Sequence, residues 1–376
     1  MEKIIRPLYP VTTVEFGGVE TFIRQTALLH DPMRIKPIYC FLREGPLQDW
    51  MQRETSHEVH VCPFPIRLSR PITLFRGVSW LRSQAQASSA DLIHSSMAYT
   101  ALIGSLAAIL CRRPHIWFQH GPVAGWMDRL AEVLPARAIL YNSHYTLARQ
   151  KAVMGSCTFI QKLFQPRMEH HVLHLGASAP AESDKKTSTP KIHIGMLCRF
   201  QRWKGVEIFI RAVSLAREQL NQQELQASIW GDPVPGQDGI EYAHEVDQLC
   251  KKHSVLRHPH TSNPEQAIQT LDLLVNASTS PEPFGLTLVE AMLAGVVPIA
   301  PRWGGPLEII EDNQTGLLFE PLNAADLAAK IVDLVQHPEK RIEMSVKSIE
   351  VARQKFTAEN TIRNLEKIYS SILSKR

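Results

Sequence analysis

Short apolar runs alternate with longer stretches whose apolar positions recur at helical spacing. Val19 to Leu29 reads as a helix, with Phe22, Ile23, Thr26 and Leu29 on one face. Strands are expected at Lys3–Leu8, Arg34–Leu42, Asp91–His94, His115–Gln119 and Ala138–Asn142. Beyond residue 190 the rhythm resumes. Strands are expected at Lys191–Leu197, Ser228–Trp230, Leu271–Asn276 and Val296–Ala300. Helices are expected at Val206–Leu220, Gln266–Thr270, Leu286–Ala294, Asn323–Val335 and Thr357–Leu373. Between the halves lies Ala177 to Pro190, a polar, proline-bearing segment that reads as a linker.

Strands alternating with helices imply parallel sheets covered on both faces. Two such series predict two Rossmann-like domains. Residues 1–180 form the first and 181–356 the second, and a final helix over 357–375 packs back on the first. Ligands then belong in the loops beyond the carboxyl ends of the strands.

The chain's 376 residues suffice for two full cores. The longest apolar run, Ala98 to Cys111, is too short to cross a bilayer and reads as a buried helix. Six cysteines lie far apart without a C-x-x-C pair, so no zinc knuckle or redox pair is signalled. Scattered thiols and no secretory leader predict a cytoplasmic protein. Residues 1–180 carry 19 basic against 12 acidic side chains, whereas 181–376 carry 22 against 25. The basic half predicts an anionic partner; nucleic acid is set aside because no recognition motif accompanies the charge. Within it, Ile66 to Arg82 holds Arg67, Arg70, Arg76 and Arg82 among apolar residues. From Pro71 onward this segment reads as a helix, with Ile72, Phe75, Val78 and Leu81 facing the core. The arginines suit peripheral contact with an anionic membrane at its inner face.

Four loops carry candidate chemistry. In Ser278 to Pro298, Glu282 follows a strand, and Phe284-Gly285-Leu286 turns into a helix bearing Glu290. The open helix end suits a phosphate, and two carboxylates suit sugar hydroxyls. The apolar surroundings of Glu290 predict a specific partner, since an unpaired buried charge is costly. In Gly195 to Gly205, Arg199 and Lys204 sit at a strand's carboxyl end and suit a pyrophosphate. In Glu15 to Glu20, Gly17 and Gly18 allow close backbone approach to a ligand, although the dinucleotide fingerprint is absent. His120-Gly121 follows a strand in the first half. No Asp-x-Asp pair, G-x-S-x-G elbow, H-E-x-x-H pair or Walker loop occurs.

Together these loops resemble the retaining, nucleotide-sugar-dependent glycosyltransferases of family GT4, which have the GT-B fold. EPFGLTLVE at 282–290 is similar to that family's E-x7-E motif, Arg199 with Lys204-Gly205 to its R-x4-K-G loop, and GGVE at 17–20 to its first glycine-rich loop. Gly304-Gly305-Pro306-Leu307-Glu308 also matches, and His120 and Ser143 occupy family-like positions. The resemblance implies that the sheets of the two domains face each other across a cleft. It implies that Arg199 and Lys204 hold the donor diphosphate and that Glu290 bonds the ribose. Glu282 and the backbone at Phe284, Gly285 and Leu286 would hold the donor sugar. Gly17 and Gly18 would close over the phosphates, and His120 would touch the sugar near the reacting centre. It further implies a hexosyl transfer without metal or cofactor, in cell-surface polysaccharide or glycolipid synthesis. The donor would be a nucleotide sugar, UDP-linked in preference to GDP-mannose, and the acceptor a glycan or lipid-linked hydroxyl. A nucleotide-sugar epimerase, a phosphorylase and a catalytically silent nucleotide-sugar-binding protein are the alternatives.

Overall fold

The computed structural model describes residues 3–12, 17–121, 125–154, 168–180, 191–220, 225–261 and 263–375. The chain separates into two compact units, Met1–Leu175 with Ala358–Arg376, and Gly176–Thr357.

The first unit is built on a parallel sheet in the order β3-β2-β1-β4-β5-β6-β7. Its strands are β1 (Pro7–Val11), β2 (Ile38–Phe41), β3 (Glu58–Val61), β4 (Leu92–Ser96), β5 (His115–Gln119), β6 (Ala138–Tyr141) and β7 (Glu169–Val172). Every residue of β1, β2, β4, β5 and β6 is buried, as expected of parallel strands covered on both faces. The covering helices include α1 (Gly18–Leu29), α2 (Pro46–Glu54), α3 (Pro71–Ala87), α4 (Met97–Cys111), α5 (Trp126–Val133) and α6 (His144–Met154). The apolar run at 98–111 is thus the interior helix α4. The first strand, expected at Lys3–Leu8, begins and ends later, at Pro7–Val11. Pairing of β1 with β4 stops at Leu8↔Ile93, so Pro10 removes no donor that this ladder uses.

Helix α3 corrects another expectation. Val78 and Leu81 are buried, but Ile72 and Phe75 are 76% and 68% exposed. A three-residue repeat lags a 3.6-residue helix by about 60° per step, so four such positions sweep half the circumference. The buried stripe instead continues from Leu81 to Ala85.

The second unit has a parallel sheet in the order β10-β9-β8-β11-β12-β13. Its strands are β8 (Ile192–Leu197), β9 (Leu225–Trp230), β10 (Leu256–His258), β11 (Leu273–Val275), β12 (Val297–Pro301) and β13 (Leu317–Phe319). Its helices include α7 (Val206–Gln219), α8 (Gln237–Lys252), α9 (Pro264–Gln269), α10 (Leu286–Leu293), α11 (Pro306–Ile309), α12 (Ala324–Gln336) and α13 (Pro338–Lys355). Its core joins Ile194, Phe209, Val213, Ile229, Val246, Val275, Ile299 and Ile331, all at most 1% exposed.

The polar helices α2, α8 and α13 escape a periodicity reading. In α13 the only buried residues are Met344, Ser348, Val351 and Ala352, two of them too small or polar to mark a stripe. The linker expected at 177–190 is described only to Pro180; 181–190, Cys157, Glu15 and Phe16 lie outside the described residues. At the crossing, Ala177 pairs with Thr357 and its N–H donates to the Phe356 carbonyl at 3.1 Å. The next element, α14 (Ala358–Ser374), belongs to the first unit. No helix among the described residues is long and apolar enough to cross a membrane.

Candidate functional site

In each sheet the strand order reverses beside its first strand in sequence, between β1 and β4 and between β8 and β11. Ligands bind open α/β sheets at such switch points. In the second unit the loops leaving β8 and β11 carry Arg199, Lys204 and Glu282 together.

After β8, Arg199 is half-buried, and residues Arg202–Lys204 make a 3₁₀ turn. Gly205 then starts α7 in the left-handed region at φ +72°. A Cβ there would lie 1.9 Å from the Ala277 carbonyl oxygen. Glycine therefore lets this turn press against the loop after β11. The Thr279 N–H donates to the Trp203 carbonyl at 2.7 Å, which ties the two loops. Lys204 Nζ, 4.0 Å from the Trp203 ring centroid, donates to both Glu282 carboxylate oxygens at 2.8 and 3.0 Å.

Glu282 is 8% exposed. It also accepts from Ser278 Oγ at 2.8 Å and Asn276 Nδ2 at 3.3 Å. Burial by itself would raise its pKa; the Lys204 ammonium and these hydrogen bonds prevail and hold it below the usual carboxylate range. Cys198, one residue before Arg199, is pushed up to about 12 by burial and stays a thiol. Beneath the loop, Gly305 N–H donates to the Glu282 carbonyl at 2.8 Å, and a Cβ on Gly305 would come within 2.4 Å of Phe284 Cα. The Gly304-Gly305 pair is therefore the floor on which Glu282 to Phe284 rests. Gly285 begins α10 with no side-chain cap; the Leu288 N–H donates to the Gly285 carbonyl at 2.9 Å, which leaves the Leu286 and Thr287 N–H groups for an anion.

Glu290, on α10, is partly buried, and no side chain among the described residues bonds it. The partner expected from its apolar surroundings is absent among the described residues. Burial, aided by repulsion from Glu265, pushes its pKa up to about 7. No hydrogen bond joins Glu282 to Glu290. Asn276 and Ser278, which fix Glu282, were not singled out from the sequence. The run N-A-S-T-S at 276–280, separated from Glu282 by Pro281, is the signal that could have found them.

In the first unit, His120 follows β5 with its ring 3.9 Å from Phe118 and 5.1 Å from Phe22. It is 8% exposed, and both ring nitrogens are buried without a partner. Burial lowers its pKa to about 3, so the ring is neutral. Asn142 Nδ2 donates to its carbonyl at 2.7 Å. Ser143 is fully buried and accepts from the Thr146 N–H at 3.0 Å, a capping contact at the start of α6. Gly17 is extended at φ −173° and Gly18 opens α1. The nearest atom to a Cβ on Gly18 is 4.0 Å away, so this backbone is open to a ligand.

This architecture is the GT-B fold. A glycosyltransferase from Rickettsia africae superposes with a TM-score of 0.82 at 18% identity, covering 99% of this chain and 100% of that one. Anabaena HepE, solved with UDP and glucose, superposes at 0.80 and 21% identity, covering 98% and 100%. Two family models match, Glycosyltransferase Family 4 over residues 16–156 and Glycosyl transferases group 1 over 180–351. The chain belongs to this glycosyltransferase family. The D-inositol 3-phosphate glycosyltransferase of Arthrobacter sp. (strain FB24) is 32% identical over 41% of this chain and 37% of its own length. That of Paenarthrobacter aurescens is 27% identical over 57% and 51%. The poly(ribitol-phosphate) alpha-N-acetylglucosaminyltransferase of Staphylococcus aureus is 26% identical over 50% and 37%. The chain thus spans about half or less of the length of these curated relatives.

Proposed function

We propose that the protein transfers a sugar, with retention, from a nucleoside-diphosphate sugar to a hydroxyl of a glycan or lipid-linked acceptor. The observation that carries this reading is the buried Glu282 carboxylate, locked by Lys204, Ser278 and Asn276 at the switch point beside the open end of α10. Arg199, Lys204 and the first-turn N–H groups of α10 hold the diphosphate. Glu290 bonds the ribose hydroxyls, and Glu282 with the backbone at Phe284 to Leu286 orients the sugar. Gly17 and Gly18 close over the phosphates. His120 touches the sugar near the reacting centre, a turn of its ring bringing one of its buried, unpartnered nitrogens to a sugar hydroxyl. Catalysis rests on positioning and on neutralising the leaving diphosphate, whose oxygen takes the acceptor's proton. Arg199, Lys204 and the open end of α10 neutralise the leaving diphosphate, so the reading needs no metal. The UDP in HepE supports a UDP-sugar donor.

Thermal unfolding with UDP, GDP, ADP and their sugars tests the reading. The matched diphosphate at 100 times its dissociation constant should stabilise the protein by about 2.7 kcal/mol. Arg199→Ala should remove most of that gain, and transfer should persist in excess EDTA. Arg199→Ala shifting as wild type does, or activity lost to EDTA and restored by Mg²⁺, would overturn it. Diphosphate release without an added acceptor would favour an epimerase, and sugar 1-phosphate formed from a glycan and inorganic phosphate a phosphorylase.

The first unit also suits peripheral membrane contact. Exposed Ile72 and Phe75 stand on α3 with exposed Arg70, Arg76 and Arg82, beside exposed Arg67. The Arg76 guanidinium lies 4.3 Å from the Phe64 ring centroid. The apolar pair enters the headgroup boundary, and each arginine adds about 1 kcal/mol against anionic lipid. Co-sedimentation should show salt-sensitive binding to anionic but not neutral vesicles, lost in Ile72→Ser/Phe75→Ser. Equal binding to both lipids, or to neither, would point to a soluble acceptor.

A further inference from the structure

A buried hydrogen-bonded chain crosses the first unit from α14 to β4. The Asp31 N–H and His30 Nδ1 both meet Glu366 Oε1, at 3.0 and 2.9 Å. His30 Nε2 lies 3.0 Å from the Tyr9 hydroxyl, which lies 2.6 Å from the Tyr369 hydroxyl. The Tyr369 hydroxyl in turn meets His94 Nδ1. All five side-chain groups belong to buried residues, and His94 and both tyrosines are fully buried.

The geometry orders the protons. Glu366 Oε1 already accepts from a backbone N–H, so His30 Nδ1 carries a proton. His30 is neutral, because burial outweighs the pull of Glu366 and lowers its pKa. Its Nε2 is therefore an acceptor, and Tyr9 donates to it. The Tyr9 oxygen then accepts from Tyr369, and the Tyr369 oxygen accepts from His94 Nδ1–H. Which ring nitrogen holds the proton is set by the bond the other makes. His94 Nε2 is left with a bare lone pair, buried and unpartnered. It lies in the aromatic cluster of Phe22 and Phe118, on which His120 also packs.

We propose that the C-terminal helix, through Glu366 and Tyr369, fixes His94 as the Nδ1–H tautomer, and that His94 is thereby a positioning residue for His120. His94 and His120 pack on the same two rings, Phe22 and Phe118, with no hydrogen bond between them, so the fixed dipole of the His94 ring biases which nitrogen of the neutral His120 ring carries its proton. The consequence for sugar binding rests on the role given to His120 above; the tautomer itself does not.

Long-range ¹H–¹⁵N correlation of the full chain, labelled at histidine, tests this at pH 7.5. His30 and His94 should both show the Nδ1–H pattern. An Nε2–H pattern at His94, or an imidazolium at His30, would overturn the proposal. In Tyr369→Phe the enforced tautomer of His94 should be lost, while His30 keeps its pattern and so reports an intact fold. The His120 nitrogen shifts should move as well, although no ring contact links Tyr369 to His120 among those described. Unmoved His120 shifts would refute the positioning role. Tyr9→Phe, which also cuts the chain, serves where Tyr369→Phe does not fold. These readouts need no turnover, so a failed transfer assay and a failed tautomer assignment are distinguishable.

Discussion

Lys204→Met is expected to destabilise the second unit by about 3 kcal/mol at pH 8, the scale for removing one partner of a buried ion pair. The side chains of Lys204 and Glu282 are only 19% and 11% exposed, so solvent screens them little. Ser278 and Asn276 remain to Glu282, but two neutral donors do not replace an ammonium. The sign with pH follows from the depressed pKa of Glu282. In wild type the pair contributes stability above the ordinary carboxylate pKa and loses it as pH falls through the lower folded value. In the variant the carboxylate can protonate, so the deficit should shrink toward pH 4. Adding Glu282→Gln should recover much of the loss. Denaturant titrations at pH 8 and pH 4 measure both effects. A deficit under 1 kcal/mol at pH 8, or one that does not vary with pH, would show that the pair is not the buried lock described.

Glu290→Gln is expected to act in the opposite direction. A carboxyl held near pKa 7 in the fold and near the ordinary value in the unfolded chain loses stability as pH rises from about 4.5 to 7. The shift corresponds to about 3 kcal/mol, present in full above pH 7. The glutamine variant should therefore be more stable than wild type at pH 8, by up to that amount, and no more stable at pH 4. It should also bind the nucleoside diphosphate less tightly, because an ionised carboxylate accepts ribose hydroxyls better than an amide. Wild-type affinity should rise with pH up to about 7 and then level. Equal stability of the two proteins at pH 8, with unchanged affinity, would remove Glu290 from the site. The pattern fits a binding site whose missing partner is supplied by the ligand.

Much of the fold was legible because burial writes itself into period. β5 is fully buried and was read at its observed bounds, and α1, α7 and α10 were read within one residue at either end. Where packing rather than pattern forms an element, the sequence was mute, as in α13. The spacing from Glu282 to Glu290 put a loop carboxylate ahead of a helix carboxylate, and Arg199 with Lys204 after a strand. It could not show that Lys204 turns to Glu282, since these residues lie 78 positions apart and meet only because β8 and β11 are sheet neighbours.

Residue pattern and motif spacing specify the alternation of strands and helices, the parallel sheets this requires, the loops that bear charge, and the family to which the motifs belong. Which charges are paired and which are bare was settled by the assembled fold. It left Glu290 without a side-chain partner among the described residues, removed Ile72 and Phe75 from the core, and joined Glu366 and Tyr369 to His94 across 272 and 275 residues. The reason is physical. Local period reports which face of an element avoids water, whereas pairing and proton placement depend on which elements the topology makes neighbours.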